Sequence, residues 1–277
     1  MVLLSSVADL DHQVDLRLAH AASVERVIGV MHEQLDRELP MRDLADVACL
    51  SAFHFSRVFR AVTGIPPGQF LTSLRLERAK RLLLTSNLPV TDICFAVGYT
   101  SLGTFTTRFT ELVGVTPSHL RRLPSAADTV LKTWPDWNLL HAIYHSPPTG
   151  ITRRIIVPAI DRALIFVGLF PTAIPQRRPI AGTLLTTPGQ YQLPMLPDGI
   201  YYPMAAALPV ASDPLVSMLP PADPLVCRTD RPLGIRGGRI GGESDITLRP
   251  PRITDPPVLI ALPALLLDRL TAYRQAS

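Results

Sequence analysis

Cysteine is scarce in this chain of 277 residues, and long apolar runs are missing. Cys49, Cys94 and Cys227 form no CxxC pair, so neither a disulfide framework nor a zinc site is expected. The nearest candidate for a membrane helix, Val258 to Leu267, is interrupted by Pro263 and is shorter than the roughly 18 residues that such a helix needs. We recognise no export signal either. These absences predict reduced thiols, a cytoplasmic location and no membrane partner.

Motifs that carry catalysis are also missing. The sequence contains no GxxxxGK[ST] phosphate loop, no GxSxG nucleophile turn and no HExxH zinc helix. All seven histidines precede residue 146, which leaves none for acid-base chemistry in the second half. His141 and His145 are four residues apart, but no third metal ligand is evident. We therefore expect no catalytic residue, no metal and no cofactor, and a protein that is not an enzyme.

Proline is sparse before residue 125 and abundant after it. Residues 1–124 hold 6 of the 28 prolines, and residues 125–277 hold the other 22. Proline lacks the amide donor that a helix interior needs, so the second half cannot be mostly helical. A hydrophobic fraction of 47% against 18% charged residues excludes wholesale disorder. The expected fold is multidomain, with an all-α domain at 20–123, a linker at 124–150 and an all-β, sandwich-like domain at 151–277.

Short apolar runs in the second half alternate with proline, glycine and aspartate, which predicts antiparallel strands in a sandwich or barrel. The runs are 154–157, 164–170, 180–185, 190–193, 200–208, 233–240 and 244–248, and a short helix is expected over 264–274. Glycines within 237–242 predict a hairpin turn. The run 188–207, with its Pro-Asp-Gly turn, resembles transthyretin-like and carboxypeptidase-regulatory-like sandwiches. That resemblance implies ligand sensing or dimerisation.

Apolar spacing in the first half predicts a series of helices. Positions three and four residues apart recur from Val24 to Leu39, with Ser23 as an N-cap and Pro40 after the last turn. Further helical patterns follow at 41–48, 51–62 and 70–84. The first half is therefore expected to be helical throughout.

This helical half contains an internal repeat. Asp43-Leu44 matches Asp92-Ile93 at an offset of 49 residues. One residue is inserted in the second turn, and the offset of 50 beyond it relates Ser51, Phe55, Phe59, Gly64 and Pro67 to Ser101, Phe105, Phe109, Gly114 and Pro117. Helix, tight turn and helix, with phenylalanines four residues apart, describe a duplicated helix-turn-helix.

A helix-turn-helix offers the outer face of its second helix to a major groove of DNA. The inward phenylalanines of the repeat are expected to lock that helix to the core. Candidates for base contact are Phe53, Ser56, Arg57, Gly103, Thr104 and Thr107, and Arg57 suits a bidentate contact with guanine. Candidates for phosphate contact are Arg60, Arg75, Arg78, Lys80, Arg81, Arg108 and Arg121. Residues 51–124 carry 9 basic and 3 acidic side chains, which supports an anionic partner.

These residues resemble the DNA-binding domain of the AraC/XylS family of bacterial transcription regulators. The resemblance rests on Leu44-Ala45, His54 to Arg60, Arg75-Leu76, Val97-Gly98-Tyr99 and Gly114 to Ser118, and it spans roughly residues 20–123. It implies a sequence-specific regulator of transcription that binds double-stranded DNA through recognition helices near 51–62 and 101–112, about 10 bp apart. It leaves room for RNA polymerase and a small-molecule effector as partners. Operator, sign of regulation and oligomeric state stay open.

Three positions depart from the family's pattern. Cys49 occupies a turn position where glycine is frequent, and Leu120 one where an aromatic residue often precedes the closing arginine. Thr107 lies where arginine is common, which implies that the second unit acts mainly through phosphate contacts. The β-rich half also follows the DNA-binding part, whereas family members often have such a domain before it. One alternative stays open, in which the second half is a ligand-binding or carbohydrate-type binding module, or an enzyme, under control of the DNA-binding part.

Overall fold

A computed structural model describes residues 2–123, 150–158, 163–174, 176–177, 179–185, 187–194, 196–209, 225–228, 232–237, 239–241 and 245–261. Helices come first and strands second, which confirms the predicted order of an all-α and a β-rich part. None of the described helices is both long and apolar enough to cross a membrane. The predicted linker up to residue 149, the pair His141 and His145 and the helix expected over 264–274 lie outside the described residues.

The helical part is built from short helices joined by tight turns. Its elements are α1 (Val2–Glu33), α2 (Met41–Val47), α3 (Ala52–Thr63), α4 (Pro67–Thr85), α5 (Val90–Ala96) and α6 (Leu102–Val113). A further helical segment follows at 117–123. Helices α2 and α3 form the first helix-turn-helix unit, α5 and α6 form the second, and α4 connects them. Helix α4 begins at Pro67 rather than at Phe70, because proline fits the first turn, where its missing amide has no partner to lose.

Helix α1 is the largest difference from the sequence prediction. It runs without a break through Ser23, whose hydroxyl accepts a hydrogen bond from the Arg26 guanidinium and caps no helix. It ends at Glu33, so Leu35 and Leu39 pack against the first unit from a non-helical segment. Alanine and leucine are frequent just before Ser23, and both continue a helix readily. The serine is therefore not a start signal here.

The two turns explain why a cysteine can replace glycine in one of them. Cys49 and Gly98 occupy equivalent positions of the repeat, and both have a positive φ, 56° and 81°. The Cys49 side chain is exposed and meets no obstacle that would exclude it. A Cβ at Gly98 would overlap the carbonyl oxygen of Leu35 and lie 2.9 Å from Nη2 of Arg75. Glycine is therefore necessary only in the second turn, where the Leu35 carbonyl and the Arg75 side chain leave no space for a Cβ.

Each helix-turn-helix unit has its own hydrophobic core. The first core combines α1, α2, α3 and the first half of α4, and the second combines the rest of α4 with α5 and α6. Phe55, Phe59 and Phe70 are fully buried in the first core, as Phe105 and Phe109 are in the second. Helix α4 contributes to both cores and so sets the position of one unit relative to the other.

The β-rich part forms two sheets around one core. Its strands are β1 (Gly150–Ile156), β2 (Ala163–Phe170), β3 (Ala181–Leu185), β4 (Gly189–Pro194), β5 (Gly199–Pro209), β6 (Leu225–Arg228), β7 (Leu233–Arg236), β8 (Arg239–Gly241) and β9 (Ile246–Thr247). One sheet has the order β4-β1-β9, and the other has β3-β2-β5-β7-β8 with β6 also paired to β5. Only the β1 and β9 pair is parallel among these pairings. Ile155 and Leu193 of the first sheet share a core with Val167 and Ile235 of the second, as in a sandwich.

The strands confirm the hairpin turn predicted near Gly237. They do not confirm the resemblance to transthyretin-like domains. The run 233–240 is a hairpin of β7 and β8, with Gly237 at a φ of 57° in its turn. Strands β4 and β5 flank the Pro-Asp-Gly turn but lie in different sheets, so they form no hairpin. The Asp198 carboxylate accepts a hydrogen bond from the Gly237 amide at 2.8 Å, which ties this turn to the β7 and β8 hairpin instead. Strand β6 is too short to stand out in the sequence.

The β-rich half contacts the end of α6. The backbone amides of Arg177 and Ala261 donate hydrogen bonds to the carbonyl oxygens of Leu112 and Val113, at 2.8 and 3.2 Å. These carbonyls belong to the last turn of a helix, where partners within the helix are missing. Leu259, with 0% exposure, is part of the second helical core. The segment around Leu259 therefore completes that core.

Replacement of Gly98 by alanine is expected to lower the free energy of unfolding by about 2 kcal/mol or more. A left-handed residue with a Cβ costs about 1 to 2 kcal/mol, and the methyl group would also overlap a backbone oxygen. Cys49→Gly, at the equivalent position, should change it by less than about 1 kcal/mol, because relief of strain offsets the added freedom of the unfolded chain. Urea denaturation measures both. Equal stability of Gly98→Ala and the wild type would contradict the close approach.

Replacement of Leu259 by alanine is expected to destabilise the second helix-turn-helix unit by about 2 to 5 kcal/mol, as for other buried leucines. Ile253→Ala is the matched control, since Ile253 lies in the same segment but is 46% exposed, and it should cost about 0.5 kcal/mol or less. Unfolding followed by the helical circular dichroism signal tests this. Identical helical transitions for the two variants would show that the segment does not belong to the core.

Candidate nucleic-acid interface

Helix α3 is fixed at both ends and along its inner face. The Ser51 hydroxyl accepts a hydrogen bond from the His54 amide at 3.4 Å, and Gly64 closes the helix with a φ of 78°. Phe55 and Phe59 face inward, with ring centres 5.5 Å apart in an edge-to-face arrangement. Because two buried rings one turn apart prevent rotation of the helix, the opposite face always points to solvent.

Helix α6 repeats this construction. The Ser101 hydroxyl accepts a hydrogen bond from the Thr104 amide at 3.4 Å, and Gly114 ends the helix with a φ of 92°. The rings of Phe105 and Phe109 lie 5.5 Å apart and are fully buried. Both units therefore have a serine N-cap, a pair of buried phenylalanine rings and a C-terminal glycine in the same order, as the repeat in the sequence predicted.

The outer face of α3 combines an apolar ring with cations. Phe53 is 76% exposed, and the Arg57 guanidinium carbon lies 6.0 Å from the centre of its ring. Ser56 is half-buried on the same face, and Arg60 is exposed one turn further on. A guanidinium can bond both acceptors of guanine, and a neighbouring ring can contact a thymine methyl group. The structure brings together the residues that the sequence assigned to this face.

The outer face of α6 is small and polar. Gly103, Thr104 and Thr107 are all exposed, and a Cβ at Gly103 would meet only the Ser101 hydroxyl, at 3.8 Å. Threonine hydroxyls can donate to a phosphate or contact a base, but they lack the two parallel donors of arginine. Compared with α3, this face can approach DNA closely and has fewer donors for base recognition.

Four of the arginines predicted to contact phosphates are exposed, namely Arg60, Arg78, Arg81 and Arg108. Arg81 and Arg108 each pair with a glutamate one turn away on the same helix, at 3.5 and 3.3 Å. Exposed pairs of this kind contribute about 0 to 1 kcal/mol, so a phosphate can replace the glutamate at little cost. These four side chains remain candidates for phosphate contact.

Arg75, a predicted phosphate contact, is hydrogen-bonded within the protein. Its Nε donates a hydrogen bond to the Leu35 carbonyl at 3.0 Å, and its Nη2 donates to the Arg37 carbonyl at 2.6 Å. Burial lowers the pKa of Arg75 from its ordinary value. The guanidinium serves the fold, because it holds the segment between α1 and α2 against α4.

Lys80 and Arg121, also predicted phosphate contacts, are likewise hydrogen-bonded within the protein. Lys80 is only 9% exposed, and its Nζ donates to the Glu77 carboxylate at 3.0 Å and to the Val258 carbonyl at 2.7 Å. Arg121 is half-buried and donates from Nη2 to the Leu88 carbonyl at 2.6 Å. The sequence shows that these residues are basic but not that their donors point into the protein.

Glu111 is a residue of this surface that sequence reasoning missed. Its carboxylate pairs with Arg108 at 3.3 Å and also with Arg177 of the β-rich half. The spacing of three residues on one helix could have indicated the pair with Arg108. The pair with Arg177 joins positions 66 residues apart, and no local pattern predicts it.

Comparison with known proteins places the helical half among helix-turn-helix proteins. Residues 44–123 match a family model described as a helix-turn-helix domain. The uncharacterized HTH-type transcriptional regulator YobQ of Bacillus subtilis (strain 168) is 33% identical over 90 residues, 32% of this chain and 37% of YobQ. The HTH-type transcriptional activator AarP of Providencia stuartii is 30% identical over 98 residues, 35% of this chain and 73% of AarP. The DNA-binding domain of AdpA, solved in complex with a target DNA, is 27% identical, with a TM-score of 0.35 and coverage of 41% of this chain and 96% of that domain.

The matches with known proteins cover less than half of this chain. This chain spans 37% of the length of YobQ, and the three matched proteins cover 32 to 41% of this chain. The range 44–123, which matches the family model, includes all of α3, α4, α5 and α6. AarP is matched over most of its length, and the residues that resemble the AraC/XylS pattern lie on α2, α3 and α4 and in the segments that follow α5 and α6. The chain therefore belongs to the AraC/XylS family of helix-turn-helix transcription regulators.

Proposed function

We propose that this chain is a sequence-specific DNA-binding transcription regulator that inserts α3 and α6 into successive segments of the major groove. The observation that carries the proposal is the repeated surface of the two helices, each capped by serine, locked by two buried phenylalanines and exposed opposite them. A helix of this kind fits the major groove of B-DNA, where base edges present distinct patterns of donors and acceptors. YobQ, named as a transcriptional regulator, and AarP, named as a transcriptional activator, support it.

The two helices have different tasks in this proposal. Helix α3 reads bases through Phe53, Ser56 and Arg57, since it alone combines a fork of donors with an exposed ring. Helix α6 contacts bases weakly through Gly103, Thr104 and Thr107. Phosphate contacts by Arg60, Arg78, Arg81 and Arg108 supply most of the affinity and none of the sequence preference.

The wider setting of the protein belongs to the same proposal. We place the protein in the cytoplasm, with double-stranded DNA as its partner, RNA polymerase as a second partner and a small molecule as effector of the β-rich half. The relatives reported above are regulators, which favours regulation over catalysis as the task of the chain. No contact among the described residues favours the alternative of an enzyme or a carbohydrate-type binding module.

Arg57→Ala is expected to weaken binding to the preferred DNA site by about 1 to 3 kcal/mol and to relax the preference at one base position, because a bidentate contact to guanine is lost. Arg26→Ala removes one positive charge from the exposed surface of α1 and should leave the base preference unchanged. Binding of each variant to a panel of single-base substitutions measures the effect. An Arg57→Ala variant that keeps the wild-type preference at every position would refute the assignment of Arg57 to base reading.

Fragments selected by the full chain from the genomic DNA of its source are expected to contain two elements about 10 bp apart, since the recognition helices enter one face of the duplex in successive turns. Their affinity should fall steeply with salt, with a slope of about −0.9 for each phosphate neutralised. Footprinting and titrations at several salt concentrations test both. Failure to enrich any fragment, or binding that is insensitive to salt, would contradict the proposed function.

A further inference from the structure

A groove of about 900 Å³ runs between α1 and α3, beside the face of α3 that is proposed to read bases. We call it the α1–α3 groove. It is lined by Arg17 and His20 of α1 and by His54, Arg57, Val58, Arg60, Ala61 and Val62 of α3. The long α1 is what creates this groove, because a helix that began at Ser23 would not extend as far as Arg17.

The polar lining of the α1–α3 groove consists entirely of groups that can donate hydrogen bonds. Three guanidinium groups and two imidazole rings face it, and none of its described lining residues has a carboxylate. The rings of His20 and His54 lie edge to face with centres 5.7 Å apart, so α1 and α3 contact each other at this point of the groove. Three like charges in one groove repel one another unless an anion lies between them. The chemistry of the groove therefore selects an anion with several acceptor oxygens.

The position of the groove indicates which anion this is. Arg57 and Arg60 belong both to the groove and to the outer face of α3, so an anion bound here lies beside any DNA that α3 contacts. A helix in the major groove is flanked by the phosphodiester strands on either side. A backbone phosphate has the charge and the acceptor oxygens that guanidinium groups bind best.

We propose that the α1–α3 groove binds a DNA backbone phosphate next to the major-groove segment that α3 reads, with Arg17 as a contact supplied by α1. This inference rests on the proposed function and deepens it. Arg17 and His20 precede residues 44–123, so neither belongs to the part of the chain that matches the helix-turn-helix family model. The added contact clamps the strand between two helices and strengthens binding at every sequence alike.

The test compares Arg17→Ala with Arg26→Ala in the full chain. Both arginines are exposed on α1, but Arg26 bonds to Ser23 and does not line the groove. Titration of a 30-bp mixed-sequence duplex at several salt concentrations should give about 3- to 10-fold weaker binding for Arg17→Ala and a salt slope smaller by about 1. Arg26→Ala should stay within about twofold of the wild type, and Arg17→Lys should keep the wild-type slope. Circular dichroism checks that each variant is folded.

A second arm distinguishes a DNA phosphate from a free one. Inorganic phosphate is titrated while the imidazole signals of His20 and His54 are followed by NMR. Saturation by phosphate, together with an unchanged salt slope for Arg17→Ala, would overturn the DNA assignment in favour of a free phosphorylated ligand. Equal binding by Arg17→Ala and Arg26→Ala would overturn the inference alone, provided that Arg57→Ala still loses base preference. A wild-type protein that binds no duplex would refute the proposed function and this inference with it.

Discussion

The placement of the two helix-turn-helix units depends on one partly buried arginine. Arg75, in the middle of α4, donates to the carbonyls of Leu35 and Arg37 in the segment that leads into the first unit. Gly98, in the turn of the second unit, lies against that Leu35 carbonyl with no space for a side chain. A guanidinium has five donors in a rigid plane and stays charged in proteins, so one side chain can hold several backbone segments. Recognition helices α3 and α6 lie in separate cores, and their relative position follows from α4 and from this contact.

The β-rich half packs against the hydrophobic cores of both helix-turn-helix units. Ile174 is buried in the first core, and Leu259 is buried in the second. Glu111 pairs with Arg177 of the β-rich half and with Arg108, which is a candidate for phosphate contact. Any movement of Arg177 therefore changes the electrostatic surroundings of Arg108. The β-rich half is therefore in direct contact with the helical half, through buried side chains and through an ion pair.

Local chemistry explains which features could be predicted from the sequence. The repeat predicted both helix-turn-helix units, because Ser51, Phe55 and their counterparts act through contacts within a few residues. The start of α1 could not be predicted, since a serine in mid-helix has the same appearance as an N-cap until the preceding turns are known. The internal hydrogen bonds of Lys80 and Arg75 could not be predicted, because a basic residue on a helix gives no sign that a distant carbonyl will accept its hydrogen bonds. Residues paired across the domains, such as Glu111 with Arg177, leave no local pattern at all.

The two units are equal in construction and unequal in chemistry. Helix α3 has Arg57 beside an exposed ring, and a basic groove runs along its flank. Helix α6 has threonines and Arg108, and the Glu111 carboxylate that pairs with Arg108 also pairs with Arg177 of the β-rich half. Under the proposed function, the first unit supplies most of the sequence preference, because the donors that distinguish bases lie there. The second unit is in direct contact with the β-rich half, because α6 ends on the carbonyls to which Arg177 and Ala261 donate.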